Sequence, residues 1–133
     1  MSWAGCTFER MSEVIVGPDA DEAALSGRMA ELERVKARAA AEQARLAAAL
    51  EARRVAAAAA GGPRVSRAAL GSEIGLARRE SPHRGERLMA MARILVADMP
   101  CTLAALESGV LSEHRAELIT KEAERSEEHT SEL

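Results

Sequence analysis

Apolar residues recur along this chain at helical spacings, and no stretch alternates in the manner of a strand. Between Asp19 and Ala60, Leu25, Leu32, Ala39 and Leu46 fall seven residues apart, with Met29, Lys36, Gln43 and Leu50 as a companion series. Such spacing lines both series along one side of a helix. Pro18 stands before the segment, Asp19, Asp21 and Glu22 crowd a first turn where the helix dipole favours negative charge, and Gly61-Gly62-Pro63 follows it. One long helix over residues 19–60 is predicted. Lys36 and Gln43 interrupt the companion series, which argues against a self-sufficient coiled coil and for packing along one narrow stripe. Leu25, Leu32, Leu46 and Leu50 form the candidate seam for a partner helix, a second copy of the chain included.

Beyond the Gly-Gly-Pro break the pattern is that of short helices. Leu70, Ile74 and Ala77 mark one apolar face over residues 66–80. Ser81-Pro82 pairs a capping residue with the helical position where proline is favoured, and Leu88, Met91 and Leu95 with Met89, Ala92 and Val96 then give the most apolar helix of the chain. Pro100 opens a fourth helix that Gly109 closes, and Ser112 caps a fifth over residues 113–124 with His114, Leu118 and Ile119 on or near one side. The fold predicted is all-α: one long N-terminal helix, a linker at 61–65, and about four short helices over 66–124 in an incomplete bundle. Residues 1–18 read as a flexible leader.

Composition narrows the reading without naming a function. The 133 residues suffice for one modest domain; alanine is the largest contributor to the 47% hydrophobic content, and the only aromatics are Trp3 and Phe8. Alanine favours helix strongly but buries little area. Cys6 and Cys101 have no partner at metal-ligand spacing and read as free thiols in a reducing compartment. No secretory leader and no run of ~18 apolar residues is visible, so a cytoplasmic setting without membrane contact is expected. Met11 is an alternative start. The last nine residues, RSEEHTSEL, back-translate to a sequence resembling a short-read sequencing adapter, so residues 125–133 are expected to be a disordered, artefactual tail. Without them the formal charge moves from -3 to about -1, and names no partner.

Landmarks at fixed spacing over residues 66–124 carry a family resemblance. They are Glu73 with Leu76 and Ala77, Ser81-Pro82, Ala92 and Leu95, Met99-Pro100, Thr102, Ala105-Leu106, Gly109, Leu111-Ser112 and Ala116. This stretch resembles the helical domain of unknown function numbered two-two-two, also called the thirteen-E-twelve repeat family. Members typically place the domain ahead of a His-Asn-His nuclease domain, so the resemblance implies an accessory role in DNA transactions. Such a nuclease needs histidine and asparagine around a metal, often with paired CxxC motifs. The chain has three histidines, His83, His114 and His129, no CxxC and no asparagine. It is therefore expected to be a non-catalytic piece of such a protein, with no catalytic or metal residues and no cofactor.

The basic concentration in ARRESPHRGER supplies the candidate DNA contact: Arg78, Arg79, Arg84 and Arg87 flank Ser81-Pro82, and residues 61–99 carry seven Arg against four acids. Guanidinium groups suit phosphate oxygens. Glu73, Glu80 and Glu86 are interleaved, however, and Glu80 stands four residues before Arg84, so a solvated, self-paired face is the competing expectation. Residues 102–119 suggest a helix-turn-helix, but the register puts Arg115 where an apolar residue is required, with Ala116 one step late. A hairpin without a groove-reading role fits better. His114 between carboxylates reads as a solvated side chain, Ser81 as a cap, and Cys101 as a buried small residue.

Overall fold

A computed structural model describes residues 20–132. The leader, with Trp3, Cys6, Phe8 and Met11, lies outside the described residues. Five helices follow one another: α1 (Glu22–Ala59), α2 (Arg67–Arg78), α3 (Pro82–Ala97), α4 (Pro100–Ser108) and α5 (Glu113–Glu132), with no strand among the described residues. The chain is all-α, with the long helix first.

Local chemistry sets the boundaries. Asp21 caps α1, its carboxylate accepting from the Ala24 amide at 2.7 Å. Ser66, Ser81 and Ser112 do the same for the Ala69, Arg84 and Arg115 amides at 3.0–3.2 Å, each satisfying a donor that the helix itself leaves without a partner. Pro82 and Pro100 sit in the first turns of α3 and α4, where no helical N–H is lost. Gly109 closes α4 at φ 84°, a left-handed geometry that glycine adopts without strain. α3 and α4 meet at a bend of 108°.

The core differs from the predicted stripe. α1 packs through Ala37, Ala40, Ala41, Ala44 and Ala47, roughly a third of a turn from the leucine seam at about 100° per residue. Alanine lets the other helices approach the α1 backbone closely, and the larger leucines are left to the side. The same core cluster holds Leu70 and Ile74 of α2, Leu88, Met89, Met91, Ala92 and Leu95 of α3, and Leu103 and Leu106 of α4. Val96, expected in the α3 face, is exposed.

α2 and α3 form a tight antiparallel hairpin built on glycine. Gly71 and Gly75, one turn apart, face Gly85, where an added Cβ would overlap the Gly71 carbonyl oxygen and lie 2.5 Å from the Gly75 nitrogen. Backbone meets backbone at this crossing, so a side chain on Gly85 has no space there.

α5 departs furthest from expectation. His114, Leu118 and Ile119 are exposed, and the residues it buries are Ala116, Glu117 and Thr120. The segment expected as a disordered tail is instead helical as far as Glu132. Its composition explains this: Glu and Arg are good helix formers, and Arg125 pairs with Glu122 one turn back. Every described side chain from Glu124 to Thr130 is exposed, so that stretch adds no packing.

Candidate functional site

The α2–α3 turn brings the four candidate arginines to one edge of the bundle, and α5 supplies counter-charges to Arg78, Arg84 and Arg87. Arg78, at the end of α2, directs Nη2 at both carboxylate oxygens of Glu113, 2.9 and 3.0 Å away. On α3, Arg84 donates from Nη1 to Oε1 of Glu117 at 2.5 Å, and Arg87 approaches the same oxygen at 3.4 Å. Lys121 stands 3.5 Å from it on α5 itself. One buried carboxylate thus faces three cations. The hydrogen bond from Arg84 holds the Glu117 carboxyl below its ordinary range; burial opposes this, and Arg84, Lys121 and Arg87 add attraction. Arg84 is correspondingly raised, first by its hydrogen bond to Glu117.

Arg79 differs from the other three. It occupies the left-handed C-cap of α2 at φ 58°, is exposed, and forms no ion pair among the described residues. The self-pairing expected with Glu80 is also absent, because the partners come from α5, more than thirty residues away in sequence. Glu73, another expected local counter-charge, instead binds Arg54 of α1 through two hydrogen bonds of 2.8 and 2.9 Å. The one advance signal of these partners was the Glu113, Glu117 and Lys121 series, spaced four apart on α5.

A second surface runs along α1. Its seam residues split: Leu25, Leu32 and Leu46 are exposed, while Leu50 packs partly against the core. Leu46 and Leu50 line an apolar cleft of about 220 Å³ with Ile74, Leu88 and Met91, and Arg78 stands at its edge. A more polar hollow of about 510 Å³ lies on the other side of Arg78, beside Lys36, Glu113 and His114. Among the described residues no three His, Cys, Asp or Glu side chains are placed to hold a metal ion. Cys101, expected to be buried, is exposed.

Further ion pairs tie α1 to the other helices. Arg93 of α3 reaches Glu51 through Nε and Nη2 at 2.7–2.9 Å, and Arg45 reaches Glu107 of α4 at 2.9 Å. Glu51 is lowered chiefly by its hydrogen bond from Arg93. Between α4 and α5, Arg115 points outward and Ala116 is buried, and α5 carries more acids than bases, an unfavourable charge for a groove-reading helix.

Fold and surfaces together define a small all-α bundle with one extended helix and a charge-compensated arginine edge. Comparison with family models, with curated proteins and with solved structures finds no match. No single helix among the described residues is long and apolar enough to cross a membrane.

Proposed function

We propose that this chain is a non-catalytic helical module that works by pairing α1 with a partner helix, as an accessory domain of the kind it resembles. The observation that carries this is the division of α1 into two faces. Alanines take the contacts inside the bundle, while Leu25, Met29, Leu32 and Leu46 stand 46%, 64%, 42% and 61% exposed. No residue from Glu22 to Lys36 is buried, and α1 first meets α4 where Arg34 lies against Gly109, which leaves about three helical turns before that contact without a buried side chain. An isolated helix of that length is marginal in water, and covering its apolar side would stabilise it. A second copy of the chain offers the same seam.

Sedimentation equilibrium over a range of concentrations tests the idea. A monomer–dimer equilibrium is expected, shifted toward monomer by Leu25→Glu with Leu32→Glu; a monomer at every concentration removes self-pairing. The resemblance adds a parent protein whose cleavage chemistry lies elsewhere. Genomic sequence reading past residue 124 into a CxxC with paired histidines would support that parent, and a native stop after Leu133 would count against an artefactual origin of residues 125–133. Metal-dependent nicking by the purified chain should be blank, and robust Mg²⁺- or Mn²⁺-dependent nicking that survives His83→Ala with His114→Ala would overturn the non-catalytic reading.

A second reading, assistance in DNA binding, draws on the convergence of Arg78, Arg79, Arg84 and Arg87 at one edge. Retention on duplex DNA should then fall steeply with salt and with Arg78→Ala plus Arg84→Ala. Retention that is absent or insensitive to salt would dismiss it.

A further inference from the structure

α5 is held to the bundle by charge more than by apolar contact. Of its described side chains only Ala116, Glu117 and Thr120 are buried, and its large apolar residues, Leu118 and Ile119, face outward. What it gives the bundle is Glu113 to Arg78, and Glu117 to Arg84 and Arg87. A carboxylate and a phosphate offer a guanidinium the same thing, anionic oxygens that accept charge-assisted hydrogen bonds. Glu113 and Glu117 therefore stand where two phosphates would stand if the arginine edge were occupied.

We propose that α5 is a displaceable latch, whose Glu113 and Glu117 fill an arginine site that takes the phosphate backbone of duplex DNA once α5 swings away. This rests on the second functional reading above. Arg79, exposed and outside the ion-pair network, makes the first phosphate contact. Among the apolar side chains of α5 only Ala116 is buried, and each guanidinium exchanges one anionic acceptor for another. The ligand is a duplex because the described residues include no Phe, Tyr or Trp on which the bases of a single strand would stack. With no contacts directed at base edges, binding is indifferent to sequence.

The test uses the full chain and a fluorescently labelled duplex of random sequence. Anisotropy measures affinity across a salt series, and hydrogen exchange follows the α5 amides in parallel. Glu113→Gln with Glu117→Gln keeps an acceptor opposite each arginine but removes the competing charge, and should tighten binding about tenfold over the unaltered chain by sparing the arginines for phosphate. The α5 amides should lose protection as duplex is added. Arg79→Ala, at a surface position with no ion-pair partner among the described residues, should weaken binding by the unaltered chain without affecting its fold. If no variant binds duplex, the DNA reading and the latch both fail. If the unaltered chain and the double Gln variant bind equally while α5 stays protected, the latch fails and the DNA reading stands.

Discussion

The crossing of α2 and α3 makes a prediction whose sign is unusual for a helix. Gly→Ala within a helix is ordinarily stabilising, by about 0.5–1 kcal/mol, because alanine loses less backbone freedom on folding. Gly85→Ala should do the reverse. Its new Cβ would overlap the Gly71 carbonyl oxygen and lie 2.5 Å from the Gly75 nitrogen and 2.9 Å from the Gly71 carbonyl carbon. These are backbone atoms of a helix, so no rotamer change relieves them. Bringing the Gly75 approach alone to ordinary contact near 3.5 Å requires the helices to part by about 1 Å. That movement would loosen Leu70, Ile74, Leu88 and Met89, all buried in the core those helices share.

Overpacking of this kind costs about 1–3 kcal/mol, and obstruction by backbone belongs at the upper end. With the alanine propensity gain set against it, a net loss of about 2 kcal/mol is expected, or roughly 10 °C in Tm for a domain of this size. Urea and thermal unfolding followed by far-ultraviolet circular dichroism measure it, and an unchanged m-value would show that the native state alone was affected. Gly27→Ala is the control, since nothing lies within 4 Å of the added methyl. Its gain belongs to the unpacked start of α1, and should appear as slightly higher helicity with little change in the global midpoint. A Gly85→Ala midpoint equal to or above that of the unaltered chain would refute the close backbone crossing.

Three further outcomes can be checked by the same unfolding measurements. Leu106→Ala, at a fully buried α4 position, should cost about 2–4 kcal/mol, whereas Leu76→Ala, 80% exposed, should stay within about 0.5 kcal/mol; equal losses would contradict the core assignment. Glu117 and Glu51 are both held below the ordinary value of 4.5, so each contributes stability above that value which is lost as pH falls through its depressed one. Stability should therefore decline below about pH 4.5, and Glu117→Gln should flatten that decline; an unchanged acid slope would mean that the Arg84 and Arg87 contacts carry no linkage. A double-mutant cycle on Arg93→Ala and Glu51→Gln should give a coupling of about 1 kcal/mol, discounted for the one-third exposure of Arg93. Zero coupling would leave that pair without a part in holding α1 to α3.

What the sequence revealed and what it hid divide along the range of the interactions involved. Ser81-Pro82, Pro100, Gly109 and Ser112 marked helix ends correctly because a cap is satisfied within three or four residues, so its chemistry is complete in the local sequence. The packing face of α1 was not legible in this way. A seven-residue leucine series and an alanine stripe are both helical, and the choice between them depends on how closely other helices approach, which those residues do not themselves record. The arginine edge failed for a similar reason. The i,i+4 rule found Glu80 for Arg84, but a carboxylate on a packed helix outcompetes one reached along the surface, because burial strengthens the pair and Glu117 can meet several cations at once. The two candidate surfaces consequently fare differently. Leu25, Leu32 and Leu46, offered by the sequence as a partner seam, stand exposed, while Arg78, Arg84 and Arg87 are already paired, so access to them depends on whether α5 stays in place.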